Sequence, residues 1–337
     1  MKTIRKNCKN LTIVFFMVTF LFTILLASVA FGSEAKVIKI AFPLAPGTIS
    51  DLCLKSYKQI VENKIGDKVE IQLFPSGQLG KDVAVLEGLR LGTHDATLVA
   101  TTISTVEPKF SFLDLPYLFT SREDVEKISK GSIGKKLIAG VEEKGIKELA
   151  MWNSGWRHVT NNIRPINTPD DLNGLKIRTP SSPSRVKLFK LLGANPTPLS
   201  FGELFSALQQ GVVDGQENPI YVVTTSKLYE VQKYLSLTKH VYTSNHLLFS
   251  KELWDSFSPE IQNVLQDAAY EVQDKSWEIY DELEKEALKK ISEVMMVNEV
   301  DMTKFKEIAQ PIYEDPSIIG PIGEDLIKEV LETLGKI

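Results

Sequence analysis

Gly211-Val212-Val213-Asp214-Gly215-Gln216-Glu217-Asn218-Pro219 is the stretch on which the fold turns. Val212-Val213-Asp214 reads as a short buried strand, entered and left through glycines that permit positive φ or close approach of another backbone. Pro219 biases Asn218 toward extended geometry and suits the first turn of a helix. Gln216, Glu217 and Asn218 are therefore expected at a strand end, just ahead of a helix. In an open α/β sheet, strand ends at a crevice are where ligands bind.

Outward from this stretch the pattern repeats. Gly174-Leu175-Lys176-Ile177-Arg178-Thr179-Pro180 is a second short strand stopped by proline, with an arginine at its mouth. Gly155-Trp156-Arg157-His158 adds another arginine beside an aromatic. A guanidinium grips a carboxylate through two parallel hydrogen bonds, although any one such arginine also reads as a structural ion pair. Toward the N-terminus, Val37–Phe42, Lys68–Phe74 and Asp95–Ala100 read as strands, with a helix over Ile49–Glu62 between the first two. Strands alternating with helices predict an α/β sheet with crossover helices. From Pro259 to Met295 one helical pattern runs with few breakers, roughly 50 Å at 1.5 Å per residue. Gln273, Asp274, Glu284 and Lys285 interrupt any coiled-coil seam, so the helix reads as a strut along two domains.

The 337 residues suffice for two cored domains. Lys2, Arg5, Lys6 and Lys9 precede an uncharged apolar run, Leu11–Leu26, and the small residues Ala27-Ser28-Val29-Ala30. That is the pattern of a Sec-type signal peptide over residues 1–30, cleaved after Ala30 or near Gly32 or Ser33; a retained membrane anchor is the alternative. Those 30 residues carry four of the 39 Lys/Arg and none of the 43 Asp/Glu, so their removal moves the formal charge from −4 to −8. An acidic exported protein lacks the basic footprint of a nucleic-acid binder. Cys8 leaves with the signal, and Cys53, in a predicted helix, has no partner for a disulfide. His94, His158, His240 and His246 form no metal-ligand spacing, and there is no Gly-x-Ser-x-Gly elbow or phosphate loop. No cofactor, metal or catalytic residue is expected.

Longer motifs carry a resemblance. Arg164-Pro165-Ile166, Asp171–Arg178, Gly193–Pro198 and Ala207–Pro219 resemble the solute-binding proteins of TRAP (tripartite ATP-independent periplasmic) transporters, of the dicarboxylate or DctP type. So do Pro75–Gly80, Asp114–Phe119 and Tyr229–Tyr234, in order along nearly the whole mature chain. The resemblance implies a periplasmic protein, expected as a monomer, that binds a small organic acid and delivers it to the small and large membrane subunits of a permease. At the matching positions, Arg178 would take a carboxylate bidentately and Arg157 would add a second charged bond. Asn218 would both donate and accept. Glu217 and Asp82 would accept from hydroxyls or order the arginines, and Trp156 and Phe201 would give flat walls. Sialic-acid members carry an acid near Ala100; threonines follow Ala100 here, which argues against sialic acid. C4-dicarboxylates, uronates and other sugar acids, 2-oxo acids and aromatic acids stay open as ligands.

The expected architecture is a two-domain periplasmic binding protein fold of type II-like α/β class, with the long helix spanning both domains. Domain I would comprise 35–154 and 244–283; domain II would comprise 155–243 and 284–337. Two rival functions fit the same residues. One is a secreted carbohydrate-active enzyme using Glu217 and Asp82 as acid and base. The other is a ligand-sensing partner of a histidine kinase.

Overall fold

The computed structural model describes residues 35–337. The export signal expected over residues 1–30, with Cys8, lies outside the described residues. The chain begins with β1 (Lys36–Ala41), the helix Ile49–Ile65, β2 (Val69–Phe74), the helix Asp82–Arg90 and β3 (Ala96–Val99). These crossovers place β2 and β3 parallel to β1 on either side of it. A run of tight helical turns ending at Asp114 and two helices, Arg122–Ser129 and Ser132–Glu142, lead to β4 (Ile146–Trp156). There follow β5 (His158–Asn161), β6 (Lys176–Thr179), the helix Pro183–Leu191 and β7 (Asn195–Pro198). The helix Leu204–Gln209, β8 (Gly215–Asn218), the helix Ile220–Thr225, β9 (Tyr234–Leu237) and β10 (Tyr242–Ser250) complete the middle of the chain.

Two sheets result, in the orders β2-β1-β3-β10-β4 and, with β11 (Met296–Glu299) at its edge, β11-β9-β5-β8-β6-β7. The chain passes from the first to the second at Arg157, the single residue between β4 and β5, and returns through 238–241, between β9 and β10. The long helix Pro259–Val294 starts on an N-cap from Ser258 with Pro259 in its first turn. It buries Leu265, Ala268, Ala269, Val272, Ser276, Trp277 and Tyr280, the three-and-four spacing of one face. That face packs on the helix Ile49–Ile65 and β4 of the first sheet and, further along, on the helix Ile220–Thr225 beside the second. Trp152 Nε1 donates to the Ala269 carbonyl, and the Asn153 N–H donates to Ser276 Oγ, both at 2.9 Å. The strut is thereby tied to the strand that feeds the crossing.

The strand expected at Val212–Asp214 forms three residues later. Gly211, at φ +69°, closes the preceding helix. The N–H groups of Val212 and Val213 both return to the Ala207 carbonyl, so these residues finish the helix rather than start a strand, and Val212 is exposed. The strand is Gly215–Asn218, buried throughout, which places Glu217 within the sheet instead of at its mouth. Segment 284–337 divides. Met296–Glu299 joins the second sheet as β11, whereas the helices Pro316–Ile322 and Glu324–Thr333 pack on Pro108–Asp114 and on the helices 122–129 and 132–142.

Near the crossing, β4 carries a bulge. Thr243 pairs with Gly155 while Ser244 pairs with Asn153, leaving Ser154 as the extra residue. Gly155 sits at φ +91°, and a Cβ there would lie 2.0 Å from Cε2 of Tyr280 on the long helix. Gly155→Ala should therefore combine left-handed strain of about 1–2 kcal/mol with overpacking of about 1–3 kcal/mol. Gly174→Ala, at φ +77° with nothing within 4 Å of the added Cβ, should show the strain alone. Urea unfolding of both variants measures the difference, and equal losses would remove the packing role given to Gly155.

Candidate ligand-binding site

Between the sheets lies a cavity of about 210 Å3. The ends of the second sheet supply two of its four cations, Lys81 coming from the N-cap of one helix and Arg185 from another helix. Arg157 stands at the crossing, and Arg178 lies on β6, in register with Gln216 of β8. Asn218 ends β8, opposite His158. All three side chains line the cavity although each is buried.

Behind them, Glu217 is the hub. Arg157 donates through Nε and Nη2 to its two carboxylate oxygens, and through Nη2 to the Glu217 carbonyl at 2.6 Å and to Asn218 Oδ1 at 2.9 Å. Arg185 Nη1 donates to the same carboxylate at 3.2 Å, and His240 Nε2 meets it at 3.1 Å. Burial by itself would raise the Glu217 pKa. The guanidiniums of Arg157 and Arg185 outweigh that and hold the carboxyl well below the usual carboxylate range. Burial lowers the His240 pKa. A carboxylate only accepts, so a neutral His240 carries its proton on Nε2 and leaves Nδ1 to accept from the Thr238 hydroxyl, 2.8 Å away.

Arg185 also donates through Nη2 to Asp114, at 2.5 Å, and to Thr101 and Thr243. It therefore joins a helix beside the second sheet to elements beside the first. The cluster holds three guanidiniums and two buried carboxylates, Glu217, bonded through both oxygens, and Asp114, bonded through Oδ1. The cation without a carboxylate is Arg178. Its Nε and Nη2 donate to one carbonyl, that of Leu199, at 3.0 and 2.6 Å. Burial, reinforced by Arg157 and Arg185, pushes its pKa down to about 10 despite the pull of Glu217. It is still charged at neutral pH. Among the described residues, Nη1 of Arg157 and Nη1 of Arg178 meet no acceptor.

Of the other residues expected here, Asp82 begins its helix, lines the cavity and is half-buried. Burial raises its pKa, and Arg178 pulls against that. Phe201 lines the cavity with the Arg178 guanidinium 6.0 Å from its ring centre. Two expectations need correction. Glu217 does not line the cavity; being mid-strand, it orders the arginines, one of the two roles open to it. Trp156 is turned away from the cavity, because the bulge at Ser154 resets the side-chain alternation. Its Nε1 donates to the Phe119 carbonyl and its ring packs on Tyr242, Trp277 and Tyr280. His158, buried beside Arg157, has its pKa pushed down to about 3, by burial first and then by His240, Lys239 and Arg157, and its Nδ1 accepts from the Lys239 N–H.

Arg185 and Asp114 were missed by the reading of the sequence, though both leave a trace in it. An arginine in the first turn of a helix opposes the dipole, and Asp114 is a lone carboxylate in an apolar run.

Residues 42–317 match the family model of DctP, the bacterial extracellular solute-binding proteins, family 7. This chain belongs to the DctP family. The DctP-family chain is 35% identical over 285 residues to YiaO of Escherichia coli, a 2,3-diketo-L-gulonate-binding periplasmic protein, covering 83% of this chain and 87% of YiaO. Its structure resembles the sugar acid binding protein DctPAm of Advenella mimigardefordensis in complex with galactonate. The TM-score is 0.86 at 33% identity, over 90% of this chain and 99% of that one. It also resembles a TRAP periplasmic solute binding protein from a Polaromonas species bound to D-erythronate, with TM-score 0.83 at 33% identity over 88% and 98%. The two-sheet α/β architecture is thus that of the periplasmic binding proteins of TRAP systems.

Glu217→Gln should destabilise this DctP-family protein by about 3–5 kcal/mol at neutral pH, the loss on removing one partner of a buried ion pair. The folded pKa of Glu217 lies below its ordinary value of 4.5, so its contribution is complete above that value and disappears as pH falls through the folded pKa. Urea unfolding of both proteins across acidic and neutral pH should show a constant gap above the ordinary carboxylate range that closes below it. A gap independent of pH would refute the role of hub.

Proposed function

We propose that this chain is exported, captures a small organic acid in the cavity between its two sheets, and delivers it to the membrane subunits of a TRAP permease. The observation that carries the reading is Arg178: a buried cation on the cavity wall with no carboxylate of its own, beside Asn218 and Arg157. A ligand carboxylate would complete that charge set with two parallel hydrogen bonds. The names of the relatives support the same class of ligand, since 2,3-diketo-L-gulonate, galactonate and D-erythronate each bring one carboxylate.

The lobes of this reading are 35–154 with 244–283, and 155–243 with 284–337, the helices Pro316–Ile322 and Glu324–Thr333 of the latter reaching back to pack on elements of the first. They close about Arg157 and 238–241 as binding proteins do about their connecting strands. The contact of Lys81 with Glu203 at 3.2 Å across the mouth suits the closed form. Both side chains are exposed, so the pair adds little stability. Hydrolysis by Glu217 and Asp82 is disfavoured. Glu217 is locked between two arginines, away from the cavity, and its lowered pKa makes it a poor general acid. Residues 1–30 would serve export to the periplasm.

A thermal-shift screen of organic acids tests capture. Ligand at 100 times its dissociation constant should add about 2.7 kcal/mol of stability. Arg178→Ala should abolish the shift. Arg178→Lys should weaken it strongly, because an ammonium lacks the planar fork. Undiminished affinity in Arg178→Ala, measured by titration calorimetry, would remove the carboxylate assignment.

A further inference from the structure

The two faces of the cavity differ in charge. The second sheet and its helices supply Arg157, Arg178 and Asn218. Elements around the first sheet supply Ser50, Thr102, Ser154 and Asn245, together with Asp82. Four cationic side chains line the cavity, and two of them are engaged elsewhere. Arg185 is held by Asp114, Glu217, Thr101 and Thr243, and Lys81 faces Glu203. Arg157 and Arg178, the cations with open nitrogens, flank Asn218 at one end of one sheet.

Opposite them, apart from Lys81 with its exposed partner Glu203, the groups are neutral or acidic. Asn245 Nδ2 donates to Ser50 Oγ at 3.2 Å, which leaves Asn245 Oδ1 to accept. Thr102 Oγ1 is buried with no protein partner. Ser154 Oγ and the Tyr221 hydroxyl share one hydrogen bond at 2.9 Å, leaving each with further capacity. Asp82 is half-buried and accepts when ionised.

We propose that this site takes a polyhydroxy monocarboxylate and rejects dicarboxylates of similar size, because its far half offers hydroxyls, an amide and a carboxylate but, among the described residues, no free cation. The inference rests on the capture reading and narrows it. Hydroxyls along the ligand chain donate to Asn245 Oδ1 and Asp82 and accept from Thr102 and the Ser154–Tyr221 pair. A second ligand carboxylate would be desolvated there with no cation but Lys81, already paired with Glu203, and would meet Asp82 as a like charge, which disfavours it twice. Specificity thus comes from a repulsive element as well as an attractive one.

Titration calorimetry of the purified chain at neutral pH, with D-erythronate and galactonate against succinate and malate, tests it. At least one aldonate should bind at least about tenfold more tightly than either dicarboxylate. Asp82→Lys, which places a cation in the far half, should narrow that gap by at least about tenfold, with succinate or malate gaining affinity. A wild-type dicarboxylate affinity within about threefold of the better aldonate, or an Asp82→Lys variant that binds with an unchanged preference, would overturn this inference and leave capture of organic acids standing. Binding of neither class would remove both.

Discussion

One charge imbalance governs this structure. Three guanidiniums converge where two sheets meet, and two buried carboxylates answer them. At an effective dielectric constant near 20, unit charges 4 Å apart interact by about 4 kcal/mol, so the division of partners decides which arginine is structural and which is available. Arg185 has Asp114 and Glu217 and is sealed from solvent. Arg157 shares Glu217 and, among the described residues, keeps one nitrogen without an acceptor. Arg178 has only a carbonyl. Residual positive charge is therefore localised on one wall of one cavity, in a chain whose formal net charge is negative.

The backbone makes that localisation possible. Arg157 occupies the single-residue link between sheets, so its side chain belongs to the site while its N–H is fixed by the Val241 carbonyl of the returning strand. The bulge at Ser154 and the left-handed Gly155 turn Trp156 onto the long helix, leaving Ser154 and Arg157 to line the cavity. Glu284 of the same helix accepts the N–H groups of Ile220 and Tyr221, at the start of the helix after Asn218-Pro219. One strut thus braces two of the strand ends that line the cavity, those of β4 and β8. Burial raises the Glu284 pKa to about 7 against those two hydrogen bonds, a sign that this carboxylate is placed for geometry at some electrostatic disadvantage.

Local signals in the sequence were enough for the strand–helix alternation, for the long helix from Pro259, and for Arg178 at the end of a strand. Each depends on residues within a few positions of one another. What local signals did not carry was the pairing of distant charges. Arg185 meets Asp114 across 71 positions and Glu217 across 32, and nothing within either helix turn or apolar run names its partner. The three-residue displacement of β8 has the same origin. Val212-Val213 has strong strand propensity, but Gly211 lets the helix close over it, and the ladder to β5 and β6 then fixes the strand at Gly215. Tertiary pairing overrode propensity there. Trp156 was misplaced because one inserted residue reverses a side-chain face, and a bulge leaves no reliable local mark.

The same bookkeeping of partners explains why a carboxylate-binding site need not contain an accessible acid to hold its arginines. Were Arg178 paired with a protein carboxylate as Arg185 is, a ligand would have to displace that partner and leave it desolvated, at a penalty of several kcal/mol. A carbonyl at 2.6 and 3.0 Å instead orients the guanidinium without neutralising it. The charge is thus pre-positioned, and a carboxylate captured as proposed would meet a donor that needs little reordering. Glu217 adds to this from behind. It fixes Arg157 directly and acts on Arg178 only through the field, so the one hub sets the geometry of the first cation while the second stays uncompensated.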